Sequence, residues 1–452
     1  MIIVAVPLAV LFGIVLIKKI PVIGGNIQIA LLITGLAALL MGGIYNPVAW
    51  LMAWLDGVDR LAWIIFMALF GSIYAQTQVE IGAMDTVLKF LRAMFGRSPK
   101  GLVISIMMAL TIAGSLLGDA VAAVAVIGIL IINSLHEIGL TPVQIAATLV
   151  IGSSWGSLMP PVTQALFLSS ALLGIEPPDP VTNLGYIAAA VGLVISTVFV
   201  CKSFVKMDKL PDDLLPEEKA GQILKKGWKS LIPLLTLAGL IILRLGFAID
   251  PITLVLGSFI DAVKSVTILK GFSNLIVLSM IVVTLISLVY ASVRQNIGKV
   301  IKEGVISCRS CVGIQLCCGL MLGGFYAGGQ LKMIESFALG MDSNLLIIGG
   351  SIAMMLVGML TGSQATAQTS VLTFMGPALV AKGMNPVYVA LGGAYMANAG
   401  QLAPPVALIT FVTCGLVSAT LNKDVDVMKT MNACWVMTLT FAVIGLIAFY
   451  LA

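Results

Sequence analysis

The chain has 452 residues, of which 60% are hydrophobic and only 10% charged, and its mean hydropathy is +1.11. A soluble domain carries about 25% charged residues, so this composition excludes a soluble enzyme or a nucleic-acid-binding domain and leaves an all-α polytopic membrane protein. The net charge of +5 informs through its placement.

In chain order, apolar runs predict spans near 2–17, 26–44, 61–78, 143–173, 183–200, 232–248, 273–293, 305–324, 387–417 and 431–451, since about 20 apolar residues cross a bilayer core. The first run lacks a basic flank and a small-residue cleavage site, so it reads as a retained span. Regions 101–135 and 344–379 differ: each splits at a Gly-containing polar centre into two arms. Arms of about 15 residues reach about 23 Å, short of a ~30 Å core. Both regions are therefore expected to be re-entrant helical hairpins. Segment 201–231 is the most polar and reads as a cytoplasmic connector with some amphipathic helix.

With the N-terminus outside, the loops 18–19, 79–100, 201–231, 294–309 and 418–430 lie inside and hold 19 of the 25 Lys and Arg. The outside loops hold Arg60, Lys264, Lys270, Lys332 and Lys382, and Arg244 lies in a span. This is the positive-inside bias of a cytoplasmic (inner) membrane protein, and it requires both hairpins to be re-entrant. Seven cysteines, four of them at 308, 311, 317 and 318, have no neighbouring histidine and read as packed, reduced thiols. His136, the only histidine, is expected in a short solvated loop.

Two spans contain residues hostile to a helix. The stretch 155–163, WGSLMPPVT, places Gly156, Pro160 and Pro161 inside an apolar run. Each proline costs about 3 kcal/mol in a helix interior, and freed carbonyls need partners in hydrocarbon. Sliding the chain by 244 residues lays GDAVAAVAV (118–126) on GSQATAQTS (362–370), GLTPVQIAA (139–147) on GMNPVYVAL (383–391), and GSLMPPVTQALF (156–167) on GQLAPPVALITF (400–411). Across 118–167, 13 of 50 positions are identical without a gap, six of them Gly or Pro, which fix backbone shape. The topology gives the copies opposite orientation. The domain organisation is thus a first repeat over 1–200, the connector 201–231, and an inverted second repeat over 232–452.

Inverted repeats with matched helix breaks point to the binding site of a secondary transporter. Carbonyls before Pro160 and Pro404 are expected to ligate a cation, and half-helix N-termini beyond them to face an anion. The polar groups nearby are Ser115, Asp119, Ser153, Ser154, Ser157, Thr163 and Gln164 in the first copy, and Thr361, Ser363, Gln364, Thr366, Gln368, Thr369, Asn398 and Gln401 in the second. Such oxygens suit Na⁺, with Ser115, Asp119, Ser154, Ser363 and Asn398 as its expected ligands. Asp119, at the first tip, is an intramembrane carboxylate that calls for a cation, a proton or a hydrogen-bond partner. The bland alternative is that it caps the second arm of its hairpin.

At these residues the chain resembles the large membrane subunit of TRAP transporters, in the ion transporter superfamily. The similar stretches are 69–128, beginning LFGSIYAQTQVEIG and ending GSLLGDAVAAVAVIG, together with GSLMPPVTQALF, LTGSQATAQTSVL and GQLAPPVALITF. The resemblance implies a scaffold, a mobile transport domain, elevator movement, and Na⁺ symport of organic acids such as C4-dicarboxylates or sialic acid. It implies a small four-span membrane subunit and an extracytoplasmic binding protein, neither of them in this chain. By position, the hairpin tips Gly118–Ala120 and Gly362–Gln364, with Ser154–Pro161 and Asn398–Pro405, would form the ion and substrate sites; these include Gly156, Ser157, Pro160, Gly400, Gln401 and Pro404. That family has Gly-Ser at the first tip, where this chain has Gly118-Asp119. The extra carboxylate suits proton coupling, or disfavours a carboxylate substrate at the tip.

The expected function is cation-coupled uptake of a small organic anion, with Na⁺ or H⁺ as coupling ion and no other cofactor; self-association is open. The alternative is a stand-alone carrier of the same superfamily. A channel needs a continuous polar lumen, which occluding hairpins deny it. An intramembrane enzyme needs a nucleophile–base set or metal ligands, and no such motif lies within the spans.

Overall fold

A computed structural model describes residues 2–16, 26–216, 218–247 and 250–452, and the described residues contain helices and no strand. Lys18 and Lys19, counted above as an inside loop, lie outside the described residues.

Two sets of elements stand 244 residues apart. The first runs Pro99–Leu117, Ala120–Ala123, a widened π-helical turn Val124–Gly128, Ile129–Glu137, Pro142–Leu158 and Gln164–Leu172. The second runs Ser343–Thr361, Gln364–Ala367, the π-helical turn Gln368–Leu372, Thr373–Ala381, Pro386–Leu402 and Leu408–Leu421. Every element of one set begins 244 residues before its counterpart. Local chemistry explains the coincidence. Gly118 and Gly362 end the first arms with φ of 67° each, a left-handed conformation that favours glycine. Thr141 with Gln144 forms a capping box and Asn385 caps its helix, each followed by proline at the first helical position. The peptide bonds Pro160–Pro161 and Pro404–Pro405 are both cis.

Each first arm lies against the helix that follows its hairpin, at glycine on both sides. A Cβ on Gly156 would stand 2.8 Å from the Cα of Gly114, and one on Gly400 would stand 3.1 Å from the Cα of Gly358. Small residues allow such backbone approach where helices pack in a membrane. Elsewhere the 31-residue helix Ile297–Ala327 packs against Ile27–Met41, Pro47–Arg60 and Ala62–Ile81, and Pro386–Leu402 packs against Trp435–Leu451. Two large apolar cores result. One includes Trp155 and Phe441, the other Trp63 and Phe167.

Several expectations are corrected. The helical segments run over 99–137 and 343–381, within two residues of the expected 101–135 and 344–379, and caps at Ser98 and Asp342 start the first arms. The arms Pro99–Leu117, Ala120–Glu137 and Ser343–Thr361 have 19, 18 and 19 residues and are long and apolar enough to cross a membrane. Nineteen residues reach about 28 Å, so arm length does not argue for re-entry. Ala62–Ile81 and Asp179–Ser203 are also long enough to cross. In contrast, Ile2–Leu16, Ile27–Met41 and Leu275–Ser287 hold 15, 15 and 13 residues, and the last span is bent by 50° between Val427–Ala433 and Trp435–Leu451.

Four helices of ten residues or more fall where no span is expected: Pro47–Arg60, Pro251–Lys264, Ala83–Phe95 and Gln330–Leu339. The first two start with Asn46-Pro47 and Asp250-Pro251, a capping side chain followed by proline. Their amphipathic composition hides them from a search for apolar runs. The connector 201–231 is more packed than a solvated linker, since it buries Leu214, Ile223 and Leu231. His136 lies in the last turn of Ile129–Glu137 rather than in a loop.

Candidate functional site

Both hairpin tips open onto one cavity of about 450 Å³. Gly118, Asp119 and Ala120 line it from the first hairpin; Gly362, Ser363 and Gln364 line it from the second. Ser157 and Gln164 come from the first broken helix, Asn398, Gln401, Leu408 and Ile409 from the second. Residues far apart in the chain are thereby gathered at one place.

At the first tip, Asp119 starts the second arm and caps it. Its Oδ1 accepts the N–H of Val121 at 2.5 Å and of Ala122 at 3.0 Å. At the second tip, Ser363 does the same less completely, its Oγ accepting the N–H of Thr366 at 3.2 Å. The Gln364 N–H donates to Oε1 of Gln401 at 2.8 Å, and Gln368 Nε2 donates to Oε1 of Gln364 at 2.6 Å. This chain of amides ties the second tip to its broken helix.

The first tip is tied to its break differently. Ser115 Oγ donates to the Pro160 carbonyl at 2.7 Å, and the Val162 N–H donates to the Ser115 carbonyl at 3.1 Å. Ser115 therefore spends its hydroxyl on a carbonyl at the break. Thr163 Oγ1 accepts the Leu166 N–H at 3.4 Å and caps Gln164–Leu172. Its counterpart is Ala407, so Leu408–Leu421 begins beside the cavity with no side-chain cap. Its N-terminal dipole is left open.

Other expected site residues do not line the cavity. These are Ser115, Ser154, Gly156, Pro160, Pro161, Thr163, Thr361, Thr366, Gly400, Pro404 and Pro405; Thr361 Oγ1 donates to the Val357 carbonyl at 2.7 Å, and Pro160 and Pro161 face a separate small crevice with Asp179, Thr182 and Tyr186. Ser154 Oγ and Thr366 Oγ1 are buried without a hydrogen-bond partner among the described residues. Asn398, the counterpart of Ser154, donates from Nδ2 to the Ala394 carbonyl at 2.9 Å. Ser157 donates to the Ser154 carbonyl at 2.9 Å. Among the described residues no cluster of three or more His, Cys, Asp or Glu is arranged to hold a metal ion.

The remaining wall comes from two helices read above as plain spans. Ala62–Ile81 contributes Ser72, Gln76 and Val79, and Ile297–Ala327 contributes Ser307, Cys311 and Ile314. Polar side chains one turn apart, as at Ser72 and Gln76, were the available signal. Cys308 and Cys318 are buried as expected, whereas Cys311 faces the cavity and accepts from Gln315 Nε2 at 3.3 Å.

The chain matches the family model described as "Tripartite ATP-independent periplasmic transporter, DctM component" over residues 4–451. Its fold is similar to that of the YdaH transporter of Alcanivorax borkumensis, known from a crystal structure, with a TM-score of 0.58, 14% sequence identity, and coverage of 88% of this chain and 86% of that one. At that identity the likeness shows the fold alone. No curated protein matches the sequence. The likeness read from the tips and breaks now extends along the whole molecule: a multi-pass helical protein, matched from residue 4 to residue 451, belongs to the DctM-component family of tripartite ATP-independent periplasmic transporters.

Proposed function

We propose that the protein is a cation-coupled carrier for a small organic acid, in which hairpins and broken helices move as one body and carry the cavity across the membrane. The family makes it a secondary transporter. The observation that supports the finer reading is the gathering of both tips and both broken helices around one cavity. In this reading the two repeats are oppositely oriented, the tips meet at depth, and the N-terminus lies outside.

Na⁺ is the coupling ion this reading favours. The Ser154 hydroxyl is a buried oxygen with no protein partner, a feature that calls for a bound cation or water, and neutral oxygens suit a hard cation. A small membrane subunit and an extracytoplasmic binding protein complete the system, as is normal for the family. The second reading, a stand-alone carrier, is kept because Asp119 supplies a carboxylate on the cavity wall, which suits proton coupling.

The test is uptake of radiolabelled small organic acids, succinate and 4-aminobutyrate among them, by the purified protein in vesicles, with and without the two partner proteins. Accumulation driven by an imposed Na⁺ gradient supports the proposal. A proton gradient acting alone selects the second reading, and uptake indifferent to both gradients refutes the carrier mechanism.

A further inference from the structure

Asp119 is the only formally charged side chain lining the cavity, and no Lys, Arg or His lines it among the described residues. Its Oδ1 is engaged by two backbone N–H groups, while its other oxygen has no hydrogen-bond partner among the described residues. A carboxylate in such a place is expensive unless a positive group accompanies it. The equivalent position in the second repeat is the neutral Ser363, so only the first tip is anionic. At the second broken helix the uncapped start of Leu408–Leu421 faces the same cavity, and an open helix N-terminus favours negative charge. The cavity is thus polarised, negative at the first tip and positive at the second break.

We infer that the transported acid also bears a protonated amine, which the free oxygen of Asp119 receives while the carboxylate turns toward Leu408 and Ile409. This rests on the carrier reading of the same cavity and narrows its substrate class to zwitterionic amino acids. A simple dicarboxylate would set a second carboxylate against Asp119, a repulsion that disfavours binding. The volume of about 450 Å³ admits a molecule of this class.

The experiment measures binding to the purified full-length protein in saturating NaCl, by calorimetry, for the pairs butyrate and 4-aminobutyrate, propionate and β-alanine, and succinate and aspartate. The wild type is expected to bind the amino-bearing member roughly tenfold or more tightly in at least one pair, the range of a hydrogen bond to a charged group. Asp119→Asn keeps the helix cap, since Asn caps as well as Asp, and should bring that ratio close to one; Asp119→Ser, which restores the chemistry of Ser363, should do the same. A preference that survives both variants overturns the inference and leaves the carrier reading standing. Equal weakening of both members together with a higher Na⁺ requirement also overturns it, by assigning Asp119 to the coupling ion. Failure of every carboxylate to bind overturns this inference and the carrier reading together.

Discussion

The backbone approach at Gly156 and Gly400 can be tested by adding a single carbon. A Cβ on Gly156 would stand 2.7 Å from the Thr111 carbonyl oxygen, 2.8 Å from the Gly114 Cα and 2.9 Å from the Leu110 carbonyl oxygen. On Gly400 it would stand 2.6 Å from the Met355 carbonyl oxygen and 2.8 Å from the Met355 Cα. Ordinary contact begins at 3.4 Å, so the hairpin arm must retreat by several tenths of an ångström, and the obstacles are backbone. Overpacking of this kind costs about 1–3 kcal/mol, partly offset by about 1 kcal/mol from the better helix propensity of alanine. A net loss of about 1–2 kcal/mol is expected for Gly156→Ala and Gly400→Ala, taking the upper part of the overpacking range because backbone yields poorly. Gly415→Ala is the control: it lies on Leu408–Leu421 with nothing within 4 Å of its Cβ, so it should be neutral or stabilising. Thermal unfolding in detergent and uptake in vesicles are the readouts. Wild-type melting and uptake in both clash variants would show that the arms do not sit this close.

Three further outcomes are expected. Ser115→Ala removes the bond to the Pro160 carbonyl and should cost about 1 kcal/mol, seen as a lower melting temperature; an unchanged value would dismiss the link between tip and break. Ser154→Ala deletes a buried hydroxyl that has no partner, so it should not destabilise the protein without Na⁺ but should shrink the melting shift produced by NaCl; a full-sized shift would remove Ser154 from the ion site. Glu176, whose surface is exposed in the loop before Asp179–Ser203, has its carboxyl pushed up by partial desolvation, with Lys270 and a hydrogen bond to Asn274 opposing and Asp59 adding to the rise. A raised acid contributes stability at low pH that is lost as pH climbs through its folded value. Because solvent screens an exposed group, Glu176→Gln should melt only slightly higher than wild type at neutral pH, with the gap closing near about pH 4; a gap independent of pH would refute this.

How much of this was readable in the residues follows from what each signal is made of. The paired tips and breaks were legible because Gly118, Gly362, Pro160 and Pro404 dictate backbone shape locally, and local constraints survive in a linear pattern. The hairpin starts fall one or two residues ahead of the apolar run because Ser98 and Asp342 cap their helices there. Pro47–Arg60 was missed because Asp56, Asp59 and Arg60 mask a helix whose cap and proline announce it. The cavity wall from Ser72, Gln76, Ser307 and Cys311 was not legible, since it depends on two helices more than 200 residues apart meeting the tips. No period within either helix encodes that encounter. Cys311 illustrates the limit: by composition it matches Cys308 and Cys318, and only packing separates the one that faces the cavity from the two that do not.

The two repeats agree where backbone geometry is at stake and disagree where chemistry is. Gly114 and Gly358, Gly118 and Gly362, Gly139 and Gly383, Gly156 and Gly400, and the paired prolines coincide at the 244-residue offset. Asp119 faces Ser363 across that offset, Ser154 faces Asn398, Ser157 faces Gln401, Thr163 faces Ala407, and Gln164 faces Leu408. A twofold frame lined with identical groups would receive a symmetric cargo equally well in either direction. Here one tip carries a charge and the other does not, and one broken helix is capped while the other opens onto the cavity. The frame is therefore shared while its lining differs between the first tip and the second break, so in the proposed carrier a bound molecule has one favoured direction. A cargo whose two ends differ in charge gains most from such a lining, because reversing it would set like charge against like at the Asp119 end.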